Sequence, residues 1–292
     1  MTGTVAVVAV TYSPGEVLAT FLDSLALSSS CELDIVLADN GSVDGSVEEA
    51  AEKRPNVRLV RTGGNLGYGR AANIGVHATT AEFVVVANPD VVWRPGALDT
   101  LLAAARRWPR GAAFGPLIHT EQGAVYPSAR ELPSIGRGIG HALCGWWWPS
   151  NPWTAAYRVE NAPPVERTAG WLSGSCLLVR RNAFDAIGGF DPGYFMYFED
   201  LDLGDRLGKA GWQNVYVPSA VVSHIGGHST SRHAARMAAE HHRSAWRYLS
   251  RRYAGLRWLP LRLVLRAGLG LRMMVATRVT RVAEGAEPQR HD

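Results

Sequence analysis

Four successive apolar, β-favouring residues, Phe83-Val84-Val85-Val86, lead through Ala87 into Asn88-Pro89-Asp90. A strand that is apolar without alternation has to be covered on both faces, which restricts the fold to a sheet lying between layers of helix. Pro89 cannot donate to a sheet ladder, so the strand is predicted to stop near Asn88. That leaves the Asn88 amide and the Asp90 carboxylate at the carboxyl end of a central strand, where open α/β sheets bind ligands. Oxygen donors of this kind suit a hard divalent ion, which in turn can hold a diphosphate. The same three residues also satisfy a plain β-turn.

The flanking sequence extends the pattern. Val5 to Val10 reads as a strand ending at Thr11-Tyr12-Ser13-Pro14, followed by a helix with Val17, Leu18, Phe21, Leu22 and Leu25 on one face. Leu33 to Ala38 is the next strand and ends in Asp39-Asn40-Gly41-Ser42. A charged helix over 44–54, a strand over 57–60 and a glycine-rich run, Gly63 to Asn73, that enters another helix come before strand 82–88. A helix opened by Pro95 follows. This alternation predicts an α/β fold with a mostly parallel central sheet and helices on both faces.

After Pro116 the pattern coarsens. Residues 128–165 are rich in Pro, Gly and Trp, including Trp146-Trp147-Trp148 and Trp153. They read either as a substrate-facing insertion or as a loop with tryptophans packed beneath it. Strand-like sequence returns at Trp171 to Val179, a short helix at 182–187, and strands at 213–217 and 220–224. The remainder is predicted helical, broken at Pro260 and softened by Gly268 and Gly270.

Composition narrows the class. With 292 residues, 47% hydrophobic and 19% charged, the chain is long and apolar enough for one large core or two modest ones. Cys31, Cys144 and Cys176 have no metal-ligand spacing, and their odd number argues against a disulfide framework, so a reducing compartment is expected. Neither a signal-peptide pattern nor an apolar run of ~18 residues is visible, so the expectation is a cytoplasmic protein.

The net charge of +4 is unevenly spread, with ten arginines and no Asp or Glu between Arg243 and Arg281. Leu256, Trp258, Leu259, Leu263 and Val264 make this segment too apolar for a solvated helix. Peripheral association with an anionic membrane surface fits both features. A subunit-contact helix, and so a homodimer, is the competing reading. Nucleic acid is not expected, because no basic-aromatic interleaving marks the front half. Arg262 and Arg266 share a helical face, but Arg272 and Arg278 drift off it, so no single amphipathic stripe is expected.

Several nucleotide-using classes are disfavoured. The acid Asp39 closes the second strand, where dinucleotide-binding folds contact a ribose, yet the first strand–helix turn lacks Gly-x-Gly-x-x-Gly. The glycine-rich run at 63–69 lacks the Lys-Ser/Thr of a phosphate loop. A sugar nucleotidyltransferase would want a basic, glycine-rich loop after strand one, and Thr11-Tyr12-Ser13-Pro14 does not supply it.

Val10-Thr11-Tyr12, Asp39-Asn40-Gly41-Ser42, Asn65-Leu66-Gly67-Tyr68, Asn88-Pro89-Asp90, Gly188-Gly189-Phe190-Asp191 and Phe198-Glu199-Asp200-Leu201-Asp202 occur in this order. Together they resemble the family-2 inverting glycosyltransferases of the GT-A fold, and more narrowly their rhamnosyltransferase branch, over roughly residues 4–230. The resemblance implies a catalytic domain over 1–230, with a nucleotide-binding half (1–120) and an acceptor-binding half (121–230). Residues 231–292 then form a helical, basic, membrane-associating extension.

It further implies that Thr11, Tyr12, Asp39, Asn65, Gly67, Arg70 and Asn88 line the nucleotide sugar. Asp90 and His224 would hold Mg²⁺ or Mn²⁺, with His228 a weaker diphosphate contact. Asn88 departs from the family's Asp-x-Asp, which puts metal contact by that residue in doubt. Asp200 would be the general base, and Trp171, Glu199 and Asp202 would lie toward the acceptor. Three acids within four residues of a helix cannot all face one site, and acids in a first turn also complement the helix dipole.

The branch implies dTDP-rhamnose as donor and a polyprenyl-diphosphate-linked N-acetylglucosamine as acceptor, at the inner face of the cell membrane. Two other readings stay open: a catalytically weak sugar-nucleotide-binding or scaffold module, suggested by Asn88, and a transferase using a different nucleotide sugar.

Overall fold

The computed structural model describes residues 4–133, 164–226 and 234–286. Cys144, the tryptophans of 146–153 and His228 lie outside these described residues. In the first part of the chain, strand and helix alternate. The order is β1 (Val5–Thr11), α1 (Val17–Ala26), β2 (Leu33–Asp39), α2 (Ser46–Lys53), β3 (Val57–Arg61), α3 (Tyr68–His77) and β4 (Phe83–Ala87). Next come β5 (Val91–Trp93), α4 (Ala97–Arg107), β6 (Gly111–Thr120), β7 (Val125–Tyr126) and β8 (Ala129–Arg130). The second part holds β9 (Arg167–Ala169), β10 (Trp171–Leu172), β11 (Cys176–Arg180), α5 (Arg181–Ala186), α6 (Glu199–Lys209) and β12 (Gln213–His224). Two helices close the chain, α7 (Ala234–Arg252) and α8 (Leu259–Ala286).

All seven residues of β1 are buried, because successive side chains enter two separate cores. Val5, Val7 and Ala9 pack with Leu18, Phe21 and Leu25 of α1 and Leu98 and Leu101 of α4. Ala6, Val8 and Val10 pack with Ala72 and Val76 of α3, Phe184 of α5 and Leu203 of α6. Helix α3 approaches so closely that a Cβ on Gly75 would sit 2.3 Å from Val8 Cγ1.

Ten strands form the sheet, in the order β3-β2-β1-β4-β11-β6-β12-β5, with β7 on β6 and β9 on β12. Strands β3, β2, β1 and β4 are mutually parallel. Strand β11 then runs antiparallel between β4 and β6, and β12 pairs parallel with β6. Six strands therefore share one direction, and the sheet is mostly parallel with an antiparallel insertion. Residues 213–224, expected as two strands, form one, whose register on β6 shifts between Val217 and Val221. Pro218 lies in that shift and has no N–H to keep the ladder regular.

Two pairings put distant residues at one edge of the sheet. Because β11 crosses antiparallel to β4, Ser175 O accepts the Asn88 N–H at 2.9 Å. Because β5 turns back against β12, His224 lies opposite Val91, and Asp90 O accepts the Ile225 N–H at 3.1 Å.

The helical extension expected from residue 231 divides into two parts. Helix α7 is fastened to the segment before and within α6: Arg247 pairs with Asp191 at 2.9 Å, Ser244 Oγ donates to Met196 O at 2.8 Å, and Tyr248 OH donates to Asp205 at 3.3 Å. Helix α8 packs along α7, with Arg266 over the Trp246 ring. The outward side of α8 carries apolar residues. Pro260, Leu263, Val264, Ala267 and Leu271 are all exposed and recur every three or four residues. Arg266 and Arg272 flank this apolar arc. Among the described residues no helix is long and apolar enough to cross a membrane.

Candidate active site

A cavity of about 340 Å³ opens at the carboxyl ends of β1 and β4, closed on its other sides by the segment before β11 and the start of α6. Its wall includes Tyr12, Asn65, Gly67, Asn88, Asp90, Glu199, Asp200 and His224. The site residues that the sequence scattered over more than two hundred positions are thus largely brought together.

Beside β4, Asp90 Oδ1 lies 3.1 Å from His224 Nε2, and the Asn88 amide nitrogen lies 3.3 Å from the same ring nitrogen. Asp90 Oδ1 is buried and makes no hydrogen bond, since the histidine is close but misaligned. A buried oxyanion without a donor is costly unless a cation approaches it. Among the described residues no group of three or more His, Cys, Asp or Glu side chains is assembled to hold a metal. Asp90, with the Asn88 and His224 side chains beside it, offers only a partial donor set, so a hard divalent ion there would need further oxygens from a ligand.

At the opposite wall, α6 begins immediately after two residues in the left-handed region, Tyr197 (φ 66°) and Phe198 (φ 67°). Such backbone is strained for side chains of this size and persists only where its surroundings enforce it. The enforcement comes from α7, whose His241 ring packs edge-on against both aromatic rings. It comes also from α3, where a Cβ on Gly67 (φ 88°) would fall 2.2 Å from Phe195 O. The glycine expected to let backbone approach a ligand is required first by this contact between two segments of the protein.

Glu199 and Asp200 both face the cavity, because the helix starts inside it. Asp200 Oδ2 accepts the Gly174 N–H at 2.9 Å, and Oδ1 accepts the Leu201 N–H at 2.8 Å. Burial pushes the Asp200 carboxyl up from the usual range, and these two N–H groups and the charge of Arg130 pull it back. Glu199 is buried too, and its Oε2 has no hydrogen-bond partner. Burial, reinforced by the neighbouring Asp200 charge, pushes Glu199 up to about 8. Two adjacent carboxyls in one dry wall do not ionise together readily. The peptide N–H groups favour the charged form of Asp200, and Glu199 lacks such partners.

Other expected site residues lie behind the wall. Thr11 and Asp39 are fully buried side by side: Thr11 Oγ1 donates to Asp39 Oδ1 at 3.3 Å, the Ser42 N–H donates to the same oxygen at 2.9 Å, and Arg61 pairs with Oδ2 at 2.9 Å. They brace the loop that carries Asn40 rather than face the cavity. Arg70 is turned to the Pro192 carbonyl at 2.6 Å. Asp202 pairs with Arg206 at 2.6 Å and lies away from the cavity. Trp171 donates its Nε1–H to Glu131 O at 3.2 Å, outside the cavity wall.

Asn40, Tyr68 and Tyr197 are among the wall residues that had no assigned role in the sequence. Asn40 accepts the Leu66 N–H at 2.8 Å and donates to Asn65 Oδ1 at 3.1 Å, so it sets the Asn65 loop. Tyr68 OH donates to Gly174 O at 2.6 Å, and Tyr197 and Met196 line the cavity. The Asn40 signal was present in Asp39-Asn40-Gly41-Ser42. Tyr68 was likewise present in Asn65-Leu66-Gly67-Tyr68, whereas Tyr197 carried no signal, since aromatic residues usually belong to a core.

Comparison with known proteins agrees with this architecture. Residues 6–188 match the model of Glycosyl transferase family 2, and residues 157–282 match that of Glycosyl transferase family group 2. The chain is 55% identical over 289 residues to N-acetylglucosaminyl-diphospho-decaprenol L-rhamnosyltransferase of Mycobacterium tuberculosis, covering 95% of this chain and 94% of that one. It is 28% identical over 199 residues to rhamnosyltransferase WbbL of Escherichia coli K12, covering 65% of this chain and 73% of the relative.

Among solved structures, the mannosyltransferase PcManGT from Pyrobaculum calidifontis, in complex with GDP-Man and Mn²⁺, superposes with a TM-score of 0.56 at 18% identity, covering 99% of this chain and 77% of that one. GalNAc-T7 with UDP, GalNAc and Mn²⁺ superposes with a TM-score of 0.55 at 17% identity over 77% of this chain and 44% of that one. These likenesses identify the sheet and its helices as the GT-A fold. The chain, with its cavity at the carboxyl ends of β1 and β4, belongs to glycosyl transferase family 2.

Proposed function

We propose that the enzyme transfers L-rhamnose, with inversion, from dTDP-rhamnose to N-acetylglucosaminyl-diphospho-polyprenol. The carrying observation is that Asp90, His224 and Asp200 share one cavity in a chain 55% identical to a rhamnosyltransferase named for that acceptor. Asn65, Gly67, Tyr12 and Asn88 lie where the nucleotide sugar would enter. Asp200 is the base: it takes the proton of the acceptor hydroxyl as that oxygen attacks the anomeric carbon and the bond to the departing dTDP breaks. A hard divalent ion, Mg²⁺ or Mn²⁺, held by Asp90 and His224, would neutralise the charge that develops on the diphosphate. Glu199 beside Asp200 holds its proton and presents a donor rather than a second negative charge.

The acceptor is lipid-linked, and the apolar outward arc of α8 with its flanking arginines supports peripheral docking on the anionic inner face of the cell membrane.

The test is transfer from dTDP-rhamnose to a prenyl-diphospho-N-acetylglucosamine with Mg²⁺ or Mn²⁺, run against a panel of other nucleotide sugars. Product with inverted anomeric configuration from dTDP-rhamnose is expected. Preferred use of another donor would replace the sugar in this assignment. Donor binding without transfer would favour the weak binding module that Asn88 suggests.

A further inference from the structure

Close to Asp200, but outside the residues that line the cavity, is Arg130. It lies on β8, directly opposite Trp171 of β10. Its guanidinium carbon is 5.4 Å from the Trp171 ring centroid and 5.5 Å from that of Tyr126, while its Nε–H donates to Pro127 O at 2.8 Å. Two aromatic faces and a carbonyl therefore fix the side chain, and ordering it costs little on binding. Among the described residues no carboxylate forms an ion pair with it. The neighbouring Arg167 is committed, its guanidinium bonding the Thr168 carbonyl at 3.1 Å and the Ala129 carbonyl at 3.2 Å.

The fold ties Arg130 to the chemistry. Two residues after Trp171, the Ser173 N–H is held by Ser128 O at 2.8 Å, and the next residue, Gly174, donates its N–H to Asp200. The Arg130 charge reaches the Asp200 carboxylate. Under the function proposed above, an acceptor sugar with one hydroxyl at Asp200 carries its diphosphate on the far side of the same ring. A fixed cation on that side would pair with the diphosphate, and a guanidinium grips phosphate oxygens in pairs.

We infer that Arg130, bracketed by Tyr126 and Trp171, is the acceptor-diphosphate subsite, separate from the donor diphosphate at Asp90 and His224. The inference rests on the proposed lipid-diphosphate acceptor. It gives the half-buried Trp171 a role as one wall of this subsite, not as a residue in the catalytic cavity.

Two measurements on the full-length enzyme test it. In the first, Arg130→Met and Arg130→Lys are compared with wild type on a prenyl-diphospho-N-acetylglucosamine and on an alkyl N-acetylglucosaminide without phosphate. Arg130→Met is expected to raise KM for the diphosphate acceptor about 10–100-fold, the range of a lost charged hydrogen bond, with kcat changed far less and a much smaller loss on the uncharged acceptor. Arg130→Lys, which keeps charge but not the planar fork, falls between. Equal losses on both acceptors, or a raised donor KM, would overturn the subsite.

In the second, geranyl diphosphate is added to enzyme already saturated with dTDP and Mg²⁺, so that the donor site is filled, and thermal unfolding is followed. Wild type gains protection and Arg130→Met does not, while dTDP protects both and so reports that both are folded. No protection of wild type, or equal protection of the variant, would overturn the inference. This binding result stands even if wild type fails to use the lipid acceptor, an outcome that counts against the proposed function alone.

Discussion

Asp90 Oδ1 and His224 Nε2 lie 3.1 Å apart because β5 folds back antiparallel on the end of β12. The two residues are far apart in the chain, so the pair exists only through that strand pairing. Asp90→Asn and His224→Ala are expected to weaken Mn²⁺-dependent protection by dTDP against thermal unfolding at least tenfold in apparent affinity. Metal-free dTDP binding should change much less. Calorimetric titration of Mn²⁺ into the dTDP complex checks this, and undiminished Mn²⁺ binding in both variants would remove the pair from the metal site.

Asp200→Asn keeps the shape of the carboxylate and can still accept the Gly174 N–H, but it cannot take a proton. Turnover is expected to fall about 10²–10⁴-fold, with donor affinity within a factor of about three of wild type. Single-turnover transfer and dTDP-rhamnose titration separate the two quantities. Near-normal transfer would assign the base elsewhere.

Glu199 makes stability depend on pH. Its folded pKa is raised to about 8 from the ordinary 4.5 by burial and the Asp200 charge. Between those values the native state binds more protons than the unfolded chain, so this group's contribution to stability falls as pH rises from about 4.5 through 8. Glu199→Gln removes the titration. The variant is expected to unfold at a higher temperature than wild type at pH 8 to 9, by about 2–4 °C for each kcal/mol of ionisation cost relieved, with the difference closing near pH 5. Parallel melting curves across that range would show that Glu199 is ionised at neutral pH.

Leu263 and Leu271 are about 60% exposed on the outward arc of α8, at 60% and 61% respectively. Leu263→Asp and Leu271→Asp should leave the fold and turnover of a water-soluble acceptor nearly unchanged, because neither residue is in the core. Flotation with anionic vesicles at low salt should bind wild type and lose the double variant. If both proteins float equally, the arc does not contact lipid; dimer loss in the variant by sedimentation would assign it to a second copy.

Arg247 grips Asp191 with two nitrogens at 2.9–3.2 Å and lies over the Tyr194 ring, in the segment that leads into α6, and Arg251 adds to the same carboxylate. Arg247→Ala is expected to lower stability by about 1–3 kcal/mol and kcat more than KM, since it loosens the segment that delivers Asp200. Urea unfolding and steady-state kinetics measure the two effects. An unchanged kcat would show that α7 is dispensable for holding the catalytic helix.

The sequence by itself determined the strand–helix alternation and the places where strands stop. An apolar run without alternation demands cover on both faces, and a proline ends a ladder wherever it falls. Those two rules placed Asn88 and Asp90 at a sheet edge without any coordinates. The acidic opening of α6 was equally plain. What the tertiary structure alone decided is which way each side chain points once its element is packed. Thr11 and Asp39 end strands as expected, yet they bond each other behind the wall, with Arg61 on Asp39, and Asp202 is turned from the cavity because it lies two residues, roughly 200°, around the helix from Asp200. In a strand buried on both sides, nothing in the residue types marks the ligand side. On α8, the apolar arc was recoverable from spacing, but whether it faced α7 or solvent depended on the neighbour that occupied the opposite face.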